Sequence, residues 1–292
     1  MKRGRAHRAS CIVLGILILD AYAFQAAGAT QLSKKISQLT RKIREAERNG
    51  TDGLLVGRMW ERLAEDYEDA GQYEKAESAY NQALKLFGVS PRMARDYAGA
   101  LESLAGLKLI LNNYDAAESC RAQALSVMEE TGDKVGIART KALLAEVYLS
   151  ERKYKNARQI GTEAYNEMVS LKDSDDRIVG TLVSLTFASA ESGQPGEALE
   201  RGRKAEARAL STLPADCELI GEAHMALGYA EWKAGMLEGP DEEMREGIRV
   251  LKRWTTPGHS YMVWALSLYS TYLKATHRKL EAKQVDEEGR QI

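Results

Sequence analysis

Few side chains in this sequence have the types and spacing that enzyme chemistry requires. Ser150 and Lys153 fit the S-x-x-K pattern of a serine nucleophile activated by lysine, but the S-D-N and K-T-G partners of that mechanism do not occur. The acidic run Asp173-Ser-Asp175-Asp176 lacks the glycine and the distal glutamate of a calcium-binding loop. A glycine-rich phosphate loop and a nucleophile elbow are also absent from the sequence. The sequence therefore predicts a protein that is not an enzyme and has no catalytic residues.

Histidine spacing gives no sign of a metal site. His7, His224, His259 and His277 each lack a second ligand at the spacing that zinc sites use. We therefore expect no metal site and no cofactor. Charge also excludes one class of partner, because the formal net charge is −1 and the 28% of charged residues carry both signs. Such a mixed surface is not the basic footprint of a nucleic-acid-binding protein.

The N-terminus has the layout of a secretory signal peptide. The basic residues between Lys2 and Arg8 precede the apolar run Cys11–Leu19, and small residues follow it. This run is much shorter than the roughly 20 apolar residues of a membrane span. We predict a signal peptide at residues 1–29, cleaved after Ala29 rather than Ala23; the alternative is an uncleaved membrane anchor. The mature protein would then be exported, periplasmic or secreted, with no membrane span.

A repeat of 40 to 42 residues occupies most of the remaining chain. Six segments align on one small or turn-forming residue, which is Ala76, Ala117, Ala157, Ala198, Pro240 and Ala282. In the first four units a second alanine follows seven residues later, at Ala83, Ala124, Ala164 and Ala205. Apolar residues at helical spacing precede each turn and small residues follow it, so each unit is predicted to be two antiparallel helices crossing closely at the alanines.

These boundaries divide residues 51–292 into six units. They cover residues 57–92, 93–133, 134–174, 175–215, 216–257 and 258–292. Before them, Leu32, Ile36, Leu39 and Ile43 form the narrow apolar stripe of an amphipathic helix within residues 30–50. We expect this helix to cap the open end of the stack. The alternative is a separate docking or coiled-coil helix.

The repeats resemble the tetratricopeptide repeat. The residues that carry the resemblance are a large-then-small pair in the first helix, the turn that includes Gly71-Gln-Tyr73, and the small residues of the second helix. The period is longer than the common 34 residues and is similar to that of kinesin-light-chain-type arrays. This resemblance implies an all-α, right-handed α-solenoid of about six helix pairs with an N-terminal capping helix.

The resemblance also implies a ligand-binding groove, because in this family the first helices line the concave surface. The positions that would face the groove carry acidic residues toward the N-terminus and aromatic residues toward the C-terminus. They are Arg58, Glu61, Glu65, Glu68, Arg139, Glu146, Phe187, Met225, Tyr229, Trp232 and Trp264. The alternative is that Tyr229, Trp232 and Trp264 are core residues between units.

The composition of this groove indicates the partner. The family's carboxylate clamp uses lysine and asparagine where this sequence has glutamates, so recognition of acidic peptide C-termini is not expected. A protein or peptide with basic and apolar character would suit the groove. The sequence thus favours an exported, non-enzymatic protein- or peptide-binding scaffold. The alternative is a structural protein that assembles through the solenoid ends or the N-terminal helix.

Overall fold

A computed structural model describes residues 31–253 and 260–291. The predicted signal peptide at residues 1–29 lies outside the described residues. Within those two ranges the chain forms 13 α-helices and one short 3₁₀-helix, without β-strands. No helix in these ranges is both long enough and apolar enough to cross a membrane. The chain divides between Leu111 and Asn112 into two compact units, and each unit is described by itself below.

The first unit contains four α-helices. They are α1 (31–48), α2 (Gly53–Asp69), α3 (Tyr73–Phe87) and α4 (Ala94–Ile110), with a 3₁₀-helix at Pro91–Met93. α2 begins four residues before the predicted start of the first repeat and packs against α3, and α3 packs against α4. The unit boundary falls inside the predicted second repeat, 93–133.

The apolar stripe of α1 faces α2. Ile43 is buried with Val56 and Leu63, while Ile36 and Leu39 pack against this cluster. An ion pair between Lys35 and the fully buried Asp66 adds a polar tie between the same two helices. α1 stops at a left-handed turn at Gly50, whose φ is 66°. The amphipathic pattern therefore places α1 as a cover on the first helix pair.

The second unit contains the remaining nine α-helices. They are α5 (Tyr114–Thr131), α6 (Lys134–Ser150), α7 (Tyr154–Leu171), α8 (Asp175–Glu191), α9 (Pro195–Thr212), α10 (Glu218–Lys233), α11 (Pro240–Leu251), α12 (Ser260–Ala275) and α13 (Lys279–Gln291). α6 to α13 form four antiparallel pairs, each packed against the next. α6 contacts α8 and α8 contacts α10, so the first helices of successive pairs lie side by side.

Small residues lie where the two helices of a pair cross. Each aligned alanine, and each alanine seven residues after it, is at most 1% exposed. In the fifth pair the later position is Gly247, where an added Cβ would lie 2.8 Å from the Gly221 carbonyl oxygen of α10. That distance leaves no room for a side chain, so the fifth crossing requires glycine.

The turn inside each pair has a left-handed residue at the same repeat position. Gly71, Asn112, Arg152, Gly193, Gly235 and His277 have φ between 55° and 77°. At Gly193 the backbone N–H bonds to the Ala190 carbonyl, and the Gln194 N–H bonds to the Ser189 carbonyl. This double hydrogen bond ends the first helix and starts the reversal into the second.

Proline changes the start of the second helix in the fifth pair. α11 begins at Pro240, which aligns with the fourth residue of α3. Gly239, with φ of 104°, precedes it, and an added Cβ there would lie 2.6 Å from Glu231 Oε2. Because proline lacks an N–H and fixes φ, it is favoured as the first residue of a helix. α11 is therefore short, at 12 residues.

Candidate functional site

A cavity of the second unit lies against the first helices of four consecutive pairs. Its volume is about 700 Å³. α6 contributes Glu146 and Leu149, α8 contributes Val183, Ser184 and Phe187, and α10 and α12 complete the wall. We call this the aromatic–acidic cavity; its remaining lining residues are Ser150, Arg152, Tyr154, Glu191, Glu222, Tyr229, Tyr261, Trp264 and Leu268. The stacking of first helices side by side is what brings these distant residues together.

Aromatic rings form one wall of the cavity. The Phe187 ring lies 5.1 Å from the Tyr229 ring and 5.6 Å, edge to face, from the Trp264 ring, centroid to centroid. These spacings are those of favourable aromatic pairs. The three rings come from α8, α10 and α12, so their positions depend on the packing between pairs.

Two half-buried carboxyl groups line the cavity, those of Glu146 and Glu222. Burial, and then the neighbouring carboxylates of Glu218 and Glu146, raise the pKa of Glu222 to about 8. Burial also raises the pKa of Glu146, and the charge of Arg121 only partly opposes it. The charge of Glu222, followed by burial, raises the pKa of Tyr261 to about 12. No cationic side chain within the described ranges forms an ion pair with Glu222.

A third carboxylate in the cavity is already neutralised. Lys233 Nζ lies 2.7 Å from Glu191 Oε1, and the Tyr229 hydroxyl donates a hydrogen bond to the same oxygen. Although burial alone would raise the pKa of Glu191, these two contacts lower it overall. Lys233 Nζ also lies 5.4 Å from the Tyr229 ring centroid. Glu191 therefore holds the Tyr229 side chain in place, whereas Glu146 and Glu222 remain available to bind a cation.

The structure brings four of the predicted groove residues together in this cavity: Glu146, Phe187, Tyr229 and Trp264. The prediction that Met225 faces the groove is wrong. Met225 is fully buried in the core between α10 and α11 and presents no surface to a partner. Trp232 packs edge to face on Tyr229 and Tyr272 and lies outside the cavity lining. Arg139 is exposed and lines a separate cavity of about 310 Å³, which also includes Glu146.

The other predicted residues lie in the first unit. Arg58, Glu61, Glu65 and Glu68 follow one face of α2, three or four residues apart. Arg58 Nε donates to Asp96 Oδ1 of α4 at 2.7 Å, and the buried Tyr80 hydrogen-bonds Glu68. Burial is the main cause of the raised pKa of both Glu61 and Glu68. This face is acidic, as predicted, but part of it is engaged in contacts within its own unit.

One cluster of a histidine and two glutamates was not predicted from the sequence. His224 of α10 lies within hydrogen-bonding distance of Glu206 on α9 and Glu243 on α11. Short ligand spacings could not reveal it, because 18 and 19 residues separate the histidine from the two glutamates. The only sequence signal was the repeat itself, which predicts that three successive helices pack together.

The aromatic–acidic cavity has the chemistry of a binding site. Its rings offer apolar surface, and its two unpaired carboxyls offer a counter-charge to a buried ammonium or guanidinium group. A cation entering the cavity would favour the ionised form of Glu222 and displace its proton.

Comparison with known proteins agrees with this architecture. Residues 96–166 match a family model described as "Tetratricopeptide repeat". The apo form of RapI superposes with a TM-score of 0.74 at 18% identity, over 89% of this chain and 70% of RapI. The fold is a tetratricopeptide-type helical solenoid.

Two further solved structures share this solenoid fold. The structure described as "Podosopora anserina putative kinesin light chain nearly identical TPR-like repeats" has a TM-score of 0.55 at 16% identity. That match covers 68% of this chain and 96% of the other. A Rap protein complexed with Competence and Sporulation Factor has a TM-score of 0.57 at 13% identity, over 89% of this chain and 76% of the other. A comparison with curated proteins found no significant match.

These structures confirm the predicted all-α solenoid and its likeness to kinesin-light-chain-type repeats. Identities of this size are evidence for the fold alone, so a function for this chain has to be argued from the site.

Proposed function

We propose that this chain is an exported, non-enzymatic scaffold that binds a protein or peptide in the aromatic–acidic cavity. The observation that carries the proposal is the convergence of three aromatic rings and two unpaired carboxyls on the first helices of four consecutive pairs. A Rap protein of similar fold is complexed with a named factor, Competence and Sporulation Factor, which supports a binding role for this architecture. Export rests on the N-terminal leader alone.

The cavity favours a segment with basic and apolar character. A lysine or arginine side chain would reach Glu146 and Glu222, while a neighbouring apolar side chain would pack on Phe187 and Trp264. Acidic segments are disfavoured, because they offer no cation to pair with Glu146 and Glu222. The volume of about 700 Å³ accommodates a few side chains rather than a folded domain.

Selection from a random peptide display library tests this specificity. The immobilised mature chain is expected to enrich peptides that have lysine or arginine beside an aromatic or aliphatic residue. Trp264→Ala should lose this enrichment, since it removes one wall of the cavity. Enrichment of acidic peptides, or an enrichment that Trp264→Ala leaves unchanged, would refute the assignment of the cavity.

Light scattering on the same sample separates binding from self-assembly, which was the alternative predicted from sequence. A monomer that still selects basic peptides supports the scaffold role. An assembly that forms through the chain's own surfaces and selects no peptide supports the structural role.

A further inference from the structure

Three helices of the second unit bring metal-binding side chains to one point. His224 Nδ1 of α10 lies 2.7 Å from Glu243 Oε2 of α11 and 3.2 Å from Glu206 Oε1 of α9. One ligand atom from each of the three residues lies within 4.8 Å of the others. His224 is only 8% exposed, and the two glutamates are half-buried. This cluster shares no residue with the aromatic–acidic cavity.

The cluster places two carboxyl groups beside one imidazole. Glu206 and Glu243 hydrogen-bond each other as well as the imidazole. Within the described ranges, neither glutamate forms an ion pair with a lysine or arginine. Two carboxylates this close repel each other unless a proton or a cation lies between them.

A third carboxyl group, that of Glu231, lies on the same helix as His224. Glu231 lies two helical turns beyond His224 on α10, so it is close to the same face of the helix. It is only 8% exposed, and its Oε2 atom is buried without a hydrogen-bond partner. Leaving such a carboxyl without a partner costs free energy.

We propose that Glu206, His224 and Glu243 form a binding site for a divalent transition metal ion of the zinc class. Ligand atoms around a tetrahedral zinc ion are about 3.3 Å apart, given bonds of about 2.0–2.1 Å. The observed separations of 2.7 and 3.2 Å from Nδ1 approach that value, so small side-chain rotations open the space for the ion. Three protein ligands leave a fourth position for water.

The donor set selects among metals. One imidazole nitrogen with two carboxylates suits zinc and neighbouring transition metals, whereas calcium and magnesium prefer oxygen ligands alone. The ion would join α9, α10 and α11, which belong to two successive helix pairs. It would therefore stabilise the junction between pairs four and five.

Calorimetric titration of the full chain with Zn²⁺, after treatment with a chelator, tests the proposal. We expect one Zn²⁺ per chain with a micromolar or lower Kd, a rise of several degrees in melting temperature, and no comparable response to Mg²⁺. Glu206→Gln and Glu243→Gln should each weaken Zn²⁺ binding at least tenfold. Glu200→Gln, which removes an exposed carboxylate of α9 paired with Lys204, should leave binding unchanged.

Two further measurements keep the test decisive. Without metal, the two glutamine variants should melt at or above the wild-type temperature, because each removes one of two adjacent carboxylates. The visible spectrum of Co²⁺ bound to the wild type should show nitrogen and oxygen ligands without thiolate bands, which excludes Cys120 and Cys217 as the site. The proposal is overturned if the wild type binds no Zn²⁺ at micromolar concentration, or if Glu206→Gln and Glu243→Gln bind it as the wild type does.

Discussion

At the residue scale, the left-handed position in each helix-pair turn controls where the first helix ends. Gly71, Gly193 and Gly235 meet this requirement without strain, whereas Asn112, Arg152 and His277 adopt the same conformation with a side chain. A Cβ in left-handed backbone costs about 1–2 kcal/mol. The glycines are therefore selected by the backbone rather than by a neighbouring side chain.

Gly193→Ala is expected to lower the free energy of unfolding by about 1 kcal/mol. Because nothing lies within 4 Å of the added Cβ, the effect comes from the φ of 77° alone. Gly180→Ala is the matched control, since this glycine lies inside α8 with equally open surroundings. This variant should raise the free energy of unfolding by up to about 1 kcal/mol, because alanine favours the helix more than glycine does. Urea unfolding measures both; a loss of equal size at both positions would contradict the turn geometry.

Glu222→Gln is expected to stabilise the protein most at alkaline pH. The carboxyl ionises near pH 4.5 in the unfolded chain but only at about 8 in the folded chain. Folding therefore takes up a proton between pH 4.5 and about 8. The free energy of unfolding of the wild type consequently falls by at most about 1.4 kcal/mol per pH unit as the pH rises across this range. Glutamine does not titrate, so the advantage of the variant should grow across the window and then level off.

Urea unfolding at a series of pH values measures this difference. Glu200→Gln serves as the control, because the exposed carboxylate beside Lys204 is screened by solvent and its loss should change stability little. A Glu222→Gln advantage that does not vary with pH would show that the carboxyl titrates as it does in the unfolded chain.

At the scale of elements, the buried alanines determine how closely the two helices of a pair approach. Ala157 of α7 is 1% exposed, and its repeat equivalents are buried to the same degree. Ala157→Trp should lower the free energy of unfolding by about 1–3 kcal/mol or more, because the crossing has no space for an indole. Lys155→Trp, at an exposed position of the same helix, should have little effect. Equal melting temperatures for the two variants would contradict the close crossing.

The helices could be predicted from sequence because the repeat imposes the same local rules several times. Local geometry determines three of these patterns: the small residues seven apart, the turn residues at a fixed position and the amphipathic stripe of α1. Side-chain direction on α10 could not be predicted, because the repeat pattern that sets the alignment is weak in the fifth unit and one residue turns a helix by about 100°. Met225 therefore lies in the core although its alignment placed it in the groove.

The candidate site was predictable only in part, for a related reason. Glu146, Phe187, Tyr229 and Trp264 lie on first helices, where repeat position specifies the exposed face. Glu222 and Tyr261 complete the cavity through contacts between pairs, and the cluster around His224 joins three helices. Such contacts depend on how neighbouring pairs pack, which no short sequence pattern encodes.

At the scale of the whole molecule, each of the two units presents an acidic surface of its own. In the first unit the acidic face of α2 is partly engaged by Arg58, Asp96 and Tyr80. In the second unit Glu146 and Glu222 line a cavity with aromatic walls. Recognition of a basic segment is therefore assigned to the second unit.

The affinity of a display-selected basic peptide for the wild type and for two double variants tests this assignment most directly. Glu146→Gln/Glu222→Gln should weaken binding at least tenfold in a fluorescence anisotropy titration, because it removes the two cavity carboxyls that receive the cation. Glu61→Gln/Glu65→Gln, which removes the same number of carboxyl groups from the first unit, should change the affinity less than about twofold. Undiminished binding to the cavity variant, or an equal loss in both variants, would contradict the central claim.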